Sequence, residues 1–360
     1  MKTLEESWIR LKNNLLSKDN FINSNKFANF SDAVFSQNIS FNEKHKLKDT
    51  QIMYESNNPQ HQSIIYKKKI LKISNNSTIF THSNYIKELF TLLKKFNEVE
   101  NLTLITAQSD RTINKNLYLK KPDNIINWFS INNEVPEYIK SIPLGLANDF
   151  SKKNINNNDL NDLAYENYKK KEANLYLNFN INTNPLERSY LFNYFKNFKW
   201  ASLESDLNKK DYIEGIQKST FVLCPYGNGY DTHRIWETLY SGSIPVVKEN
   251  KAFNQFKDLP ILFINSYENV TQKLLENYLM NFDVSNYNFE KLDIGYWRKE
   301  FTKNQEKDTE FIISLTYENI YFSTFYFLES FYNKNIKLLK TLFFKIFFKI
   351  NKMFNLKYKK

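Results

Sequence analysis

From about Tyr66 onward the chain alternates short apolar runs with polar breaks, in the spacing of buried strands and amphipathic helices. Ser77 to Thr81 predicts a strand, Ile86 to Phe96 a helix with Leu89, Leu92 and Leu93 toward one side, and Leu102 to Thr106 a second strand. Pro122 to Phe129 reads as a helical turn that buries Trp128, and Ile139 to Leu146 as a strand ending at Gly145. A polar stretch, residues 151–172, reads as a connector. The alternation then resumes. Strands are expected at Leu175 to Phe179, Trp200 to Leu203, Phe221 to Cys224, Ile244 to Val247 and Ile261 to Ile264. Helices are expected at Leu186 to Phe198, Tyr212 to Lys218, His233 to Ser241 and Glu268 to Tyr278. This order predicts an α/β chain with two doubly wound halves, in which ligands sit at the carboxyl ends of the strands. The ends of the chain are less regular. Trp8, Ile9, Leu11, Leu15 and Leu16 fit a short amphipathic helix, and Lys18 to Gln62 is polar enough to predict irregular structure or short helices. Glu310 to Tyr332 is strongly apolar and reads as a long helix.

The densest punctuation lies between Ser219 and Val247, with three of the six glycines, two of the eight prolines and the single cysteine. A buried strand stops at Pro225, and a loop containing Gly227, Asn228 and Gly229 follows. Asp231 or Thr232 caps a helix, Gly242 takes the left-handed position after it, and a second strand follows. A glycine loop feeding a helix N-terminus suits an anion, most often phosphate. Arg234 stands in the first turn for a bidentate phosphate contact. Glu237 lies three residues on, placed to accept hydrogen bonds from ribose hydroxyls. A surface i,i+3 pair of Arg234 with Glu237 is the competing reading.

The string Leu223, Cys224, Pro225, Gly227, Arg234, Trp236, Glu237, Gly242, Ile244, Pro245, Val246 resembles the C-terminal segment of the exostosin-like glycosyltransferases. Asp231 to Glu237 (Asp-Thr-His-Arg before Trp-Glu) resembles bacterial and viral members in particular. The resemblance is specific over about thirty residues and weaker from Ser77 to Trp297. It implies a GT-B fold, two Rossmann-like domains facing a cleft with the nucleotide on the second. Residues 1–150 would be the acceptor-side domain and 173–300 the nucleotide-sugar domain. A helix at 301–333 would pack back, and 334–360 would be a tail. The resemblance also implies a phosphate role for Arg188, in the first turn after Pro185. Pairing of Arg188 with Glu187 is the alternative on spacing. Relatives carry motifs matched here by Thr106 to Asp110, by Trp128, Phe129 and Asn132, and by Ile142, Pro143, Gly145 and Asn148. The histidine of the first is replaced by Ala107 or Gln108.

Composition changes the picture at three points. One cysteine excludes an internal disulfide, and four scattered histidines give no zinc spacing. No run reaches the roughly 18 to 20 apolar residues of a membrane span, and the first twenty residues do not read as a signal peptide. Nine lysines and no acids follow residue 333, so they carry nine of the eleven net positive charges. Lysines on one face of that tail mostly oppose Phe, Leu and Ile on the other, with Phe344 and Phe348 breaking the division, the pattern of an interfacial helix on anionic lipid. A core-docking helix with a solvated lysine face is the competing reading. A cytoplasmic enzyme held at the inner face of the membrane is expected.

The function these features predict is transfer of a hexosyl or related sugar from a nucleotide-sugar to a glycan or lipid-linked acceptor, in cell-surface polysaccharide synthesis. Gly227, Asn228, Gly229, Thr232, Arg234 and Glu237 would hold the donor with Arg188. The absence of an Asp-x-Asp motif points away from a metal-bound diphosphate, and no cofactor beyond the donor is expected. Inversion, implied by the resemblance, needs a general base. Asp110 and His82, at the same strand-end rim as Ser83 and Asn148, are candidates, with His233 a third. An inactive GT-B-like protein binding at the membrane surface is the alternative. RNA binding is disfavoured by the near-neutral body.

Overall fold

The computed structural model describes residues 20–58, 61–160, 174–283, 286–302, 310–314 and 335. The helix expected around Trp8 to Leu16, most of the connector, residues 315–332 and the basic tail lie outside the described residues. The chain divides into two compact units, residues 1–313 and 314–360. Both of the larger sheets belong to the first unit.

In chain order the described helices and strands are α1 (Ser24–Asn29), β1 (Ala33–Ser40), β2 (Thr50–Asn58), β3 (His61–Lys68), β4 (Ile70–Ser74), β5 (Thr78–His82), α2 (Ile86–Leu93), β6 (Leu102–Ala107), α3 (Lys115–Tyr118), β7 (Ile125–Ser130) and β8 (Lys140–Ser141). After the connector come β9 (Leu175–Leu177), α4 (Pro185–Phe195), β10 (Ala201–Leu203), α5 (Lys209–Lys218), β11 (Phe221–Leu223), α6 (His233–Tyr240), β12 (Ile244–Lys248), β13 (Leu262–Ile264), α7 (Gln272–Met280), α8 (Ile294–Phe301) and β14 (Glu310–Ser314).

The first sheet runs β2-β3-β1-β5-β6-β7-β8. From β1 to β8 the neighbours are parallel, whereas β3 and β2 form an antiparallel hairpin on the outer side of β1. Strands β5 and β6 are buried at every position, as parallel strands covered on both faces are. The irregular structure expected for Lys18 to Gln62 is therefore corrected: this stretch supplies β1 and most of the hairpin. Its polar composition hid them because the polar groups are buried in pairs. Ser36 Oγ lies 2.8 Å from Thr81 Oγ1, and the Tyr66 hydroxyl donates to Gln37 Oε1 at 3.2 Å. The helical turn expected at Pro122 to Phe129 is likewise a strand, β7. Trp128 is buried as expected, and its indole N–H donates to Thr106 Oγ1 at 3.0 Å. Of Ile139 to Leu146, only Lys140 and Ser141 pair as strand.

The second sheet runs β10-β9-β11-β12-β13, parallel throughout. Here the expected elements appear in the expected order. Pro185 opens α4 at a first-turn position where its missing N–H costs nothing. Gly242, at φ +71°, ends α6. Its N–H donates to the Leu239 carbonyl and that of Ser243 to Thr238, a Schellman-type closure.

One hydrophobic cluster joins the two sheets: Phe21, Phe27, Phe80, Ile105 and Phe129 share it with Trp236, Tyr240, Phe256, Trp297 and Phe301. Each such ring contributes about 1.5–3 kcal/mol by leaving water. Helix α8 crosses to the first sheet, where the Phe301 ring meets Phe129 at 4.9 Å and Phe27 at 5.5 Å. Most of residues 301–333, of which a return crossing is expected, lies outside the described residues. The long helix expected from Glu310 is corrected in its first five residues, which form β14 beside β4. Phe311, Ile312 and Ile313 are residues that favour strands.

Candidate functional site

The site grows from the loop between β11 and α6, which is braced from both sides. From α4, the buried Arg188 guanidinium donates to the carbonyls of Tyr226 (2.9 Å), Asn180 (2.9 Å) and Pro225 (3.3 Å). Glu187 accepts from the Tyr226 N–H and from the Tyr267 hydroxyl, both at 3.0 Å. Burial, with the nearby charge of Arg234, lowers the Arg188 pKa to about 10. This corrects the phosphate role for Arg188: three of its donors already serve loop carbonyls. Cys224 is buried, and burial pushes its thiol up to about 12.

At the start of α6, Thr232 is the N-cap, but its side chain makes no capping bond. Asp231 faces elsewhere. Its carboxylate accepts from the Leu144 N–H at 2.8 Å and from the Trp236 indole at 2.7 Å, and burial raises its pKa to about 7. His233 Nδ1 lies 2.8 Å from the Gly145 carbonyl. A carbonyl can only accept, so Nδ1 carries the hydrogen and Nε2 is left for another partner. The Arg234 guanidinium stands 5.7 Å over the ring of Tyr212. Burial opposes its charge, yet Tyr212 and Glu237 beside it hold its pKa above the ordinary value. Glu237 is 4% exposed and accepts from the Tyr212 hydroxyl at 2.8 Å, so it is no surface residue.

Three buried polar atoms around this helix start have no hydrogen-bond partner among the described residues: Thr232 Oγ1, Arg234 Nε and Asn132 Nδ2. Two of them can only donate. Unpaired donors beside a helix N-terminus are of the kind that an oxyanion satisfies.

The glycines serve the fold more than a ligand. A Cβ at Gly229 would come within 2.7 Å of Asn132 Nδ2, so this glycine admits a side chain from the first sheet. One at Gly227 would meet its nearest neighbour, Arg188 Nη2, at 3.4 Å, an ordinary contact. Asn228 is exposed.

At the first-sheet rim, His82, Ser83, Asp110 and Asn148 belong to one linked set of loops, as expected. Ser83 Oγ donates to the Ala107 carbonyl, Ser109 Oγ to Asn84 Oδ1, and Asn148 Oδ1 accepts from Ser24 and Asn25. The catalytic role expected of His82 is corrected. It is 2% exposed, its Nδ1 accepts the Asn84 N–H, and the ring also bonds the Gln108 backbone. Burial drives its pKa down to about 4, so it is a neutral brace with no nitrogen free for a substrate proton. Asp110 stays exposed beside it.

Sequence reasoning missed the clasp between the sheets. Asn132 Oδ1 accepts the Asp231 N–H at 2.9 Å, and the Tyr230 hydroxyl donates to Glu134 Oε1 at 2.7 Å. Two signals stood at Asn132, its match to the motif of Trp128, Phe129 and Asn132 and an Asn-Asn pair after a strand, and neither pointed to a clasp. Asn132 adopts φ +49°, which asparagine tolerates better than most residues. Among the described residues no group of three or more His, Cys, Asp or Glu is placed to hold a metal ion. Nor is any helix among them long and apolar enough to cross a membrane.

Residues 177–315 match the family model described as the RXYLT1 C-terminal domain. The match is to less than half of the chain, and it takes in α6 and its loop. It supports a glycosyltransferase domain over these residues. Among solved structures, the UDP-GlcNAc 2-epimerase from Methanocaldococcus jannaschii matches at 9% identity and a TM-score of 0.28, over 60% of this chain and 74% of that one. Likeness at that level carries no argument. No curated protein matches.

Proposed function

We propose that the chain is a glycosyltransferase of GT-B type that moves a sugar from a nucleotide-sugar to the hydroxyl of a glycan or lipid-linked acceptor. The observation that carries this reading is the cluster of unpartnered buried atoms at the α6 N-terminus. The family-model match to the same segment supports it.

In this reading the donor diphosphate lies against the first turn of α6, with Arg234 and the Thr232 hydroxyl on its oxygens. Glu237, oriented by Tyr212, takes the ribose hydroxyls. The acceptor hydroxyl approaches from the first-sheet rim and attacks the anomeric carbon from the face opposite the diphosphate. Its proton passes to a carboxylate, for which exposed Asp110 is the candidate. The bond from the anomeric carbon to the phosphate oxygen breaks, and the electron pair leaves on the diphosphate. Fixed positive charge at α6 stabilises that leaving group as it forms, in a metal-independent, inverting transfer. His233, whose Nδ1 hydrogen is held by the Gly145 carbonyl, donates through Nε2 on the same side when the ring is the imidazolium. The basic tail places the enzyme on the cytoplasmic side of an anionic membrane, where a lipid-linked acceptor in polysaccharide synthesis would be met. Arg188 keeps the loop in shape.

A thermal-shift screen against UDP, GDP, CMP and their sugar conjugates, with and without EDTA, tests the site. The expected result is a shift with one nucleotide that survives EDTA and disappears in Arg234→Ala. Folded protein that shifts with none of them would point instead to an inactive binding protein. For the tail, full-length protein should bind anionic liposomes and a chain ending at Tyr332 should not. Equal binding by both would sink the membrane role.

A further inference from the structure

Asn132 comes from the sheet opposite α6, yet its side chain belongs to the α6 site. It lies two residues past the end of β7 and holds a left-handed backbone, φ +49°, which still favours glycine although asparagine tolerates it better than most residues. The residue is 3% exposed. One end is satisfied, since Oδ1 accepts the Asp231 N–H next to the α6 cap. The other end is not, since Nδ2 is buried without a hydrogen-bond partner among the described residues. The amide rests on Gly229, where a Cβ would come within 2.7 Å of Nδ2, 2.9 Å of Oδ1 and 3.0 Å of Cγ. Three unfavourable features therefore coincide: a strained backbone, a buried unpaired donor, and a glycine kept bare to admit them. Packing requires an acceptor here, for the Asp231 N–H, but no donor, since no described residue accepts from Nδ2. A ligand atom that accepts a hydrogen bond accounts for the donor end, which the bond to Asp231 does not use.

The neighbours of Nδ2 define that atom. Arg234 Nε is a second donor without a partner, Thr232 Oγ1 is a hydroxyl without one, and the α6 N-terminus adds positive potential. Unpaired donors grouped around one helix start suit an oxyanion. We propose that Asn132 Nδ2 donates to an oxygen of the donor diphosphate, so that the nucleotide site is completed by a side chain from the first sheet. The proposal rests on the nucleotide-sugar reading above. Its consequence is that donor binding bridges the two sheets through the same amide that accepts from Asp231.

Isothermal titration of full-length protein with the nucleoside diphosphate found in the thermal-shift screen, and with inorganic pyrophosphate, tests it. Asn132→Ala should weaken both ligands about tenfold, the loss of one charge-assisted hydrogen bond. Asn132→Asp keeps the shape and the acceptor for Asp231 but sets a carboxylate against phosphate, and should weaken both about a hundredfold. Gly229→Ala should weaken them about as much as Asn132→Ala, because its Cβ displaces the amide. The double variant Asn132→Ala with Gly229→Ala should be no weaker than either single one. Asn132→Asp, the least disruptive to folding, decides the question if an alanine variant does not fold. Binding within twofold of wild type in Asn132→Asp would overturn the inference and leave the nucleotide site standing. Additive losses in the double variant would overturn it too. Wild-type protein that binds neither nucleoside diphosphate nor pyrophosphate would overturn both.

Discussion

At the carboxyl ends of β5 and β6 the polar groups close on one another. His82 is bonded at Asn84 and Gln108, Gln108 reaches Asn25 and Asn38, and Asn148 holds Ser24 and Asn25. The atom left over there, Asn38 Oδ1, is a lone acceptor. At the start of α6 the residue is of the other kind, a hydroxyl and two donors gathered at a helix N-terminus. Both regions are rich in histidine, asparagine and arginine, so composition does not separate them. What separates them is whether the polar atoms find partners within the fold. Since burying an unmatched donor costs about 1–3 kcal/mol, a cluster of them is the reason we propose binding there.

The largest effect that would break this contrast is on binding. Arg234→Ala should remove nucleoside diphosphate affinity by roughly 1.5–3 kcal/mol for each charge-assisted bond lost. Calorimetry showing affinity retained in a folded variant would put the binding region elsewhere.

The two regions should also respond to pH with opposite sign. Asp231 is raised from 3.8 to about 7 in the folded protein. The native state therefore holds its proton more tightly than the unfolded chain. Its contribution to stability is complete below pH 4 and is lost as pH rises toward 7, by ~4 kcal/mol for a shift of that size. His82 is lowered from 6.5 to about 4. Its contribution is complete above pH 6.5 and is lost as pH falls toward 4, by ~3 kcal/mol. Melting temperatures across pH 4 to 8 separate them. Asp231→Asn should flatten the decline on the alkaline side, and His82→Gln the decline on the acid side. A profile unchanged by both substitutions would remove the contrast.

Glycines sharpen it further. Gly145 sits at φ +72°, and a Cβ there would meet the Ile22 carbonyl oxygen at 2.3 Å. Gly145→Ala should therefore cost roughly 2–3 kcal/mol of stability in denaturant melts, and should disturb His233, which donates to its carbonyl. Gly227→Ala has room and should cost less than about 1 kcal/mol. A large loss at Gly227 would mean that the loop is more constrained than its contacts indicate.

Legibility followed the same divide. The strand, glycine loop, helix and strand from Ser219 to Val247 were readable because apolar runs, Pro225 and Gly242 punctuate them locally. Pro122 to Phe129 reads as a helical turn although Ile125–Ser130 is strand β7, because so short an apolar run fits either period. The hairpin near the N-terminus was hidden because its strands bury polar side chains that pair only after folding. Arg188 and His82 were recognisable as unusual residues, but their spacing could not say that their hydrogen bonds were already taken.

What the sequence by itself determined is the alternation of strand and helix, the helix start at Thr232 to Arg234, and the residue types that could meet a phosphate there. These depend on neighbours a few positions apart. Tertiary structure decided which of those residues remain free. The bonds from Leu144 to Asp231, from Asp231 to Asn132 and from His233 to Gly145 join residues 87, 99 and 88 positions apart. Whether a buried donor is satisfied depends on what the rest of the chain brings within about 3 Å of it. No local pattern encodes that distance.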